Sequence, residues 1–159
     1  MIFKKIKIYS QNICKNNFLI NTILETHFDF NIIFIQELLW SVIQSILSST
    51  NCEGDILIGV PNHLSWTVFS KCLSQANNFS QVVTYINICL SSLRFSLQNN
   101  ILNHKDISCI SFLNHSLSYF LINIYSDLSQ LALKYLEDTE VNIDNILIIT
   151  KDFNIWDSF

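Results

Sequence analysis

The chain has 159 residues, of which 50% are hydrophobic and only 14% are charged. This composition excludes a disordered tail, and the length suffices for one domain with a buried core. The formal net charge of -4 argues against a protein that simply coats DNA, because such proteins present a positive surface. A hydrolase that holds a divalent cation between carboxylates is compatible with this charge, because the metal supplies local positive charge.

The cysteine pattern and the short apolar runs indicate an intracellular protein, nuclear or cytoplasmic. An odd number of widely spaced cysteines without a C-x-x-C pair predicts reduced thiols rather than a zinc site or a disulfide scaffold. Apolar runs such as residues 32–35 are far too short to span a bilayer, so we expect no membrane partner. The cysteines are Cys14, Cys52, Cys72, Cys89 and Cys109.

Strand-like and helix-like segments alternate along the first half of the chain. A strand is predicted at Ile6–Ser10 and is followed by the polar pair Gln11–Asn12. A helix is predicted over Lys15–Phe28, and the β-branched run Phe30–Ile35 predicts a buried strand that ends in Gln36–Glu37. The remaining predictions in this half are a helix at Leu38–Leu47 and short strands at Asp55–Gly59, Thr67–Phe69 and Val82–Asn87.

The second half predicts a strand pair, a helix and a last strand. Ile107–Phe112 and Tyr119–Tyr125 are strand-like and are joined by a polar turn. Apolar residues at helical spacing predict a helix over Ser126–Asp138. Asn145–Thr150 predicts a strand. This order of elements indicates a mixed α/β sandwich.

Polar residues follow four of the predicted strands. In α/β sheets, functional sites gather beyond the carboxyl ends of strands, so residues that are distant in sequence converge there. We therefore expect these side chains to form one site. They are Asn12, Glu37, Tyr125, Asp152 and Asn154.

This set of side chains suits the cleavage of a phosphodiester bond. Mg²⁺ prefers oxygen ligands and keeps several waters, so Glu37 suffices as a ligand, with Asn12 beside it or acting through water. The metal would neutralise charge on the phosphate. Asp152 would orient or deprotonate the attacking water, and Asn154 would hold that water or a phosphate oxygen. Tyr125 would donate its hydroxyl to the phosphate or stabilise the leaving group.

Each of these residues also has a purely structural explanation. An asparagine such as Asn12 at a strand end is usually a turn residue. Glu37 is favoured by the dipole of a following helix, and Tyr125 is of a type common at the edge of a core. The residues alone therefore leave open an unrelated α/β interaction domain in which these positions coincide by chance.

The succession KIKIYSQN, FNIIFIQE, FLINIYSD and ILIITKDFN resembles the motif series of the endonuclease/exonuclease/phosphatase family, which is deoxyribonuclease-I-like. The most similar version belongs to endonuclease domains of non-LTR retrotransposons, and the resemblance covers residues 1–159. It implies a four-layer α/β sandwich, a Mg²⁺ or Mn²⁺ ion, DNA as the substrate and a reverse transcriptase encoded in the parent element. It assigns Asn12 and Glu37 to the metal and Tyr125, Asp152 and Asn154 to catalysis.

The chain departs from the family pattern near its end. Lys151 stands where the family has glycine, and a second aspartate and a histidine are expected after the last motif, where only Ile155–Phe159 follow. The resemblance therefore implies a fold that is incomplete at the C-terminus and an endonuclease that is impaired or inactive as this chain. A degenerate, non-catalytic copy is the alternative.

Overall fold

The computed structural model describes residues 5–38, 48–50, 56–58, 60–71, 80–114, 116–126, 131–138 and 147–153. In these residues the backbone forms ten strands, two α-helices and one short 3-10 helix. The strands are β1 (Ile8–Asn12), β2 (Ile32–Gln36), β3 (Ser48–Thr50), β4 (Ile56–Ile58), β5 (Trp66–Phe69), β6 (Val82–Asn87), β7 (Ser96–Leu97), β8 (Ile107–Asn114), β9 (Leu117–Ser126) and β10 (Leu147–Phe153). The helices are α1 (Phe18–Thr26) and α2 (Leu131–Asp138), and the 3-10 helix spans Ile88–Leu93.

Eight of these strands lie in two four-stranded sheets. Sheet 1 has the order β1-β2-β6-β5, in which β1 and β2 are parallel and β6 is antiparallel to both of its neighbours. Sheet 2 has the order β10-β9-β8-β7, in which β10 and β9 are parallel and the other pairs are antiparallel. The strands β3 and β4 form a separate antiparallel ribbon. Each four-stranded sheet thus contains one parallel pair, whose two carboxyl ends lie side by side.

The two sheets pack face to face through an apolar cluster. Side chains alternate along β2, so that Ile32 and Phe34 join this cluster whereas Ile33 and Ile35 pack on the opposite face. All four are fully buried, which explains why β2 is an unbroken apolar run. The cluster also includes Ile86 from β6 and, from sheet 2, Ile110, Phe112 and Leu121.

Each four-stranded sheet carries a helix on its other face. On sheet 1, α1 buries Ile20, Ile23 and Leu24 against β2 and β6. On sheet 2, α2 places Ala132 against a cluster that includes Cys109 of β8. The central strands β2, β6, β8 and β9 therefore carry buried apolar side chains on both faces. Neither described helix has the length and hydropathy that a membrane span requires.

The structure confirms the mixed α/β class and several of the predicted elements. The strand predicted at Val82–Asn87 is β6, and the predicted strand pair is present as the longer strands β8 and β9. The helix predicted from Lys15 begins later, at Phe18, because Cys14 and Lys15 have φ angles of 49° and 62° and form a turn. The strands β3 and β7 and the 3-10 helix were not predicted.

Other predicted boundaries are wrong because strand pairing extends further than expected. Ser126, predicted to begin a helix, is the last residue of β9 and pairs with Phe153. The last strand runs to Phe153, so Asp152 lies within it rather than after it. Asn12 lies within β1 for the same reason. The predicted helix at Leu38–Leu47 falls, from residue 39 onward, outside the described residues.

A buried lysine connects the end of β5 to the loop before β8. Lys71 is only 4% exposed, and its Nζ donates to the carbonyl oxygen of Leu102 and, at 3.4 Å, to that of His104. Burial lowers the pKa of Lys71 to about 8, and the neighbouring Cys109 partly offsets this shift. Burial also raises the pKa of the Cys109 thiol to about 11, against a smaller opposing effect of Lys71. Holding a charged amine here therefore costs stability.

Replacement of Phe34 tests the importance of the inter-sheet cluster. Phe34→Ala leaves a cavity at a fully buried position and is expected to lower the free energy of unfolding by about 3–5 kcal/mol. The control is Phe18→Ala, because Phe18 is 68% exposed, and its expected effect is within about 0.5 kcal/mol. Urea unfolding of both variants measures the difference. Equal effects would show that the sheets do not depend on this cluster.

The pKa of Lys71 predicts a pH dependence of stability. Between pH 8 and 10.5 the unfolded chain binds more protons at this site than the folded chain, so the free energy of unfolding rises with pH. Because Cys109 acts in the opposite direction above pH 9, the effect is measured between pH 8 and 9. Relative to Lys71→Met, the unmodified chain should gain about 1 kcal/mol over that interval. Lys134→Met, at an exposed position, should show no such difference.

Candidate active site at the carboxyl ends of the parallel strands

The end of β1 is fixed by a tight turn that contains Asn12. The Asn12 Oδ1 accepts a hydrogen bond of 2.7 Å from the amide of Cys14, as expected of an asparagine that stabilises a turn. Cys14 and Lys15 both have positive φ, and the amide of Asn16 closes the turn on the carbonyl of Ile13. The structural role that the sequence suggested for Asn12 is therefore present. Its amide group lies at the carboxyl end of the strand.

Glu37 follows β2 directly and lies beside this turn. In the register of the parallel pair, Asn12 is opposite Gln36. The amide of Lys15 donates to the Glu37 carbonyl at 2.8 Å, and the amide of Ile13 donates to the Gln36 carbonyl at 3.1 Å. The structure thus places the backbones of Asn12 and Glu37 at adjacent strand ends.

The backbone of Glu37 is in an unfavourable conformation. Its φ of 59° lies in the left-handed region, which glycine adopts without steric cost and glutamate does not. The side chain is partly buried. Strained residues of this kind cluster at functional sites, where the surrounding structure holds them in place.

Tyr125 is the predicted site residue that β9 of sheet 2 places at this edge. Its side chain is 5% exposed, and its amide donates to the carbonyl of Asp106 at 3.0 Å. By strand alternation it shares a face of β9 with Leu121, which belongs to the inter-sheet cluster. Asp152 is its register partner in β10. Tyr125 and Asp152 therefore lie side by side on parallel strands, while Asn154 lies outside the described residues.

Two buried amides join the sheets next to this edge. Gln36 is 1% exposed and Asn123 of β9 is fully buried. The Gln36 Nε2 donates to the Asn123 Oδ1 at 2.7 Å and to the Ser10 Oγ at 3.1 Å. The Asn123 Nδ2 in turn donates into sheet 1, to the carbonyl oxygens of Ile35 (3.2 Å) and Val83 (3.0 Å) and to the Thr84 Oγ1 (3.4 Å). We call the paired Gln36 and Asn123 side chains the amide bridge.

The amide bridge brings the two halves of the predicted site together. Gln36 immediately precedes Glu37, and Asn123 precedes Tyr125 by two residues on the same face of the strand. A hydrogen bond of 2.7 Å between them places the ends of β2 and β9 at the same edge of the molecule. Of the residues predicted from strand ends, Asn12, Glu37, Tyr125 and Asp152 thus lie on or directly after strands that meet at this edge.

The donor set at this edge is small but chemically suited to a hard cation. Among the described residues, no group of three or more His, Cys, Asp or Glu side chains is positioned to hold a metal. Glu37 provides a carboxylate and Asn12 an amide oxygen at adjacent strand ends, and Mg²⁺ needs only one or two protein oxygens because it retains its waters. These two residues therefore fit a sparsely ligated, water-rich cation. They do not resemble a closed cage of protein ligands.

The sequence patterns missed Asn123 and Asp106 as residues of this region. Asp106 is 7% exposed, and its Oδ1 accepts a hydrogen bond of 3.3 Å from the amide of Gln81, which connects the starts of β6 and β8. Asn123 is one polar residue within the apolar run Phe120–Tyr125. An isolated amide in such a run must find a buried partner, so this position carried a signal.

Comparison with known proteins supports a distant endonuclease fold. The endonuclease domain of TRAS1, a telomere-specific non-LTR retrotransposon, matches this chain with a TM-score of 0.50 and 12% sequence identity. The match covers 84% of this chain and 50% of that chain, so this chain spans about half the length of that domain. No protein-family profile and no curated protein matches the sequence. At this identity the likeness is one of fold.

Replacement of Glu37 by glycine tests whether its backbone is strained. Glu37→Gly should raise the free energy of unfolding by roughly 0.5–1 kcal/mol, because glycine adopts positive φ without steric cost. The matched control is Glu25→Gly in α1, which should lower it by a similar amount because glycine weakens a helix. Urea unfolding without metal measures both. The same sign for both variants would contradict the argument.

Proposed function

We propose that this chain is a metal-dependent phosphodiesterase, namely a DNA endonuclease domain of the non-LTR retrotransposon type. The observation that carries the proposal is the convergence of strand ends: the amide bridge sets the end of β2, with Glu37, against β9, with Tyr125. Asp152 is the neighbour of Tyr125 in the sheet register. The likeness in fold to a retrotransposon endonuclease domain supports the same proposal.

We further propose that the architecture is the four-layer α/β sandwich of deoxyribonuclease-I-like proteins. Two observations support it. The two sheets share the apolar cluster that contains Phe34 and Leu121, and each sheet packs a helix on its outer face. The succession of layers is then α1, sheet 1, sheet 2 and α2, with the site at one edge of the inner pair.

In the proposed mechanism, Glu37 and Asn12 would hold a Mg²⁺ or Mn²⁺ ion. When bound, the ion supplies positive charge that neutralises the phosphate and the leaving oxygen. The Tyr125 hydroxyl donates a hydrogen bond to the phosphate or to the leaving oxygen, where negative charge develops. Asp152 accepts a proton from the attacking water, and Asn154 orients that water or a phosphate oxygen. Each of these roles needs the two sheets to be held at a constant separation.

DNA is the proposed substrate, and the parent element is expected to encode a reverse transcriptase. The exposed Lys15 lies in the turn that holds Asn12, and it places a positive charge at the edge where the phosphodiester would bind. This local charge matters because the whole chain is acidic, with a formal charge of -4. We expect a low rate of cleavage, because Lys151 stands where the resembled family has glycine.

Nicking of supercoiled plasmid DNA tests the proposal. The purified chain should convert supercoiled to open-circular DNA in Mg²⁺, and EDTA should abolish the conversion. Glu37→Gln and Asp152→Asn should each reduce the initial rate by at least about 100-fold, because each removes a carboxylate that acts in the reaction. The matched control is Glu25→Gln on the exposed surface of α1, which should nick at the unmodified rate.

Two outcomes would contradict the proposal. Nicking that survives in Glu37→Gln and Asp152→Asn would come from a contaminating nuclease or from a different site. A folded chain that nicks no faster than these variants would instead identify a non-catalytic copy of the fold or an interaction domain. Circular dichroism of each preparation establishes that the chain is folded.

A further inference from the structure

We propose that Asn123 is a positioning residue, which acts through the amide bridge to hold the Tyr125 side of the candidate site at a fixed distance from the Glu37 side. The effect of Asn123 on catalysis rests on the proposed function, whereas its effect on the distance between the two sides does not. Asn123 itself is buried among protein groups, so it acts on the site through its neighbours.

The hydrogen bonds of the amide bridge allow only one orientation of each side chain. The Asn123 oxygen faces the N–H of Gln36, and the Asn123 nitrogen faces oxygen acceptors of sheet 1. Rotating the Asn123 amide by half a turn would set nitrogen against nitrogen and oxygen against oxygen. Because the Asn123 oxygen can only accept, the group of Gln36 that faces it must be the N–H donor, so the orientation of Gln36 is fixed as well. The bridge therefore specifies a single relative position of β2 and β9.

The rest of the inter-sheet contact cannot specify this position so closely. The cluster around Phe34 and Leu121 is apolar, and the attraction between apolar surfaces is non-directional. Hydrogen bonds weaken steeply with misalignment, so they resist the sliding of one sheet over the other. The bridge is also adjacent to the site: Gln36 precedes Glu37 by one residue, and Asn123 precedes Tyr125 by two.

The backbone of Glu37 makes this side of the site dependent on the bridge. Its left-handed φ persists only while the flanking residues hold it. On one flank stands Gln36, whose carbonyl is bonded to Ile13 and whose side chain is bonded to Asn123. Loss of the side-chain bond to Asn123 would remove one of the contacts that hold this flank, so the Glu37 carboxylate would be held less closely.

Replacing both Gln36 and Asn123 by apolar side chains tests their role in positioning separately from their effect on stability. When both partners of a buried polar contact become apolar groups of similar shape, stability is often preserved, but directional contacts are lost. The Ser10 hydroxyl and the carbonyl oxygens of Ile35 and Val83 also lose a partner here, so some stability is lost as well. The double variant Gln36→Met/Asn123→Leu is therefore the test. The matched control is Ser108→Ala, because Ser108 is fully buried, stands opposite Asn123 in the sheet register, and its hydroxyl makes no hydrogen bond within the described structure.

Two readouts are measured on each protein. The first is plasmid nicking, separated into kcat and KM. The double variant should lose about 10- to 100-fold in kcat with KM nearly unchanged, because small misplacements of reacting groups slow the chemical step. The second is ¹⁵N relaxation dispersion, which detects microsecond-to-millisecond motion. New exchange broadening should appear at the amides of Glu37 and Tyr125, whereas Ser108→Ala should match the unmodified chain in both readouts.

The outcomes distinguish this inference from the proposed function. A folded double variant with unchanged kcat and no new broadening would overturn the positioning role. If the unmodified chain does not nick DNA, the proposed function fails, and the broadening alone decides whether the bridge holds the two edges. If the double variant does not fold, Gln36→Met retains the bonds from Asn123 to Ile35 and Val83. It should broaden Glu37 but not Tyr125, and sharp signals at both would overturn the inference.

Discussion

The rest of this molecule depends on the packing of two apolar sheet faces against each other. Burial of side chains such as Phe34 and Leu121 drives the sheets together, but such contacts tolerate many relative positions. The proposed catalytic site, which is shared between the sheets, needs one position. The chain meets this requirement by placing two amides among the apolar residues where β2 and β9 approach their ends. The apolar side chains thus hold the sheets together, and the two neighbouring amides are proposed to align them.

The candidate site has few charged side chains, and main-chain hydrogen bonds hold its backbone in place. The turn after β1 is closed by main-chain hydrogen bonds. The amides of Lys15 and Ile13 also donate to main-chain carbonyls at the end of β2. Glu37 is held in a conformation that its own preferences oppose. In the proposed mechanism, such a site would leave most of the coordination of the cation to water and to substrate, and the protein would fix the positions of its few ligands. This division of labour is consistent with an acidic chain that is proposed to act on an acidic polymer.

The sequence predicted those elements correctly whose structure follows from the local pattern of apolar residues. The β-branched runs that became β2 and β6 were correctly predicted, because strands buried on both faces are apolar throughout. Strand ends were predicted less well: β9 and β10 continue to Ser126 and Phe153 because they pair with each other, and a partner is not visible in a local window. Asn12, Glu37 and Tyr125 were placed at strand ends by pattern. Asn123 was missed because its partners come from another sheet. The roles assigned to all five predicted site residues stay predictions.

The buried thiol of Cys109 gives sheet 2 a chemical reporter of its own opening. Cys109 is fully buried, and its thiol holds its proton well above neutral pH, so it offers little thiolate to an alkylating reagent while the sheet is intact. Cys14 and Cys89 are exposed and would react first. After these two are blocked, any modification of Cys109 records transient opening of the cluster around it, which includes Ala132 of α2, and its rate measures how often that side of the core opens.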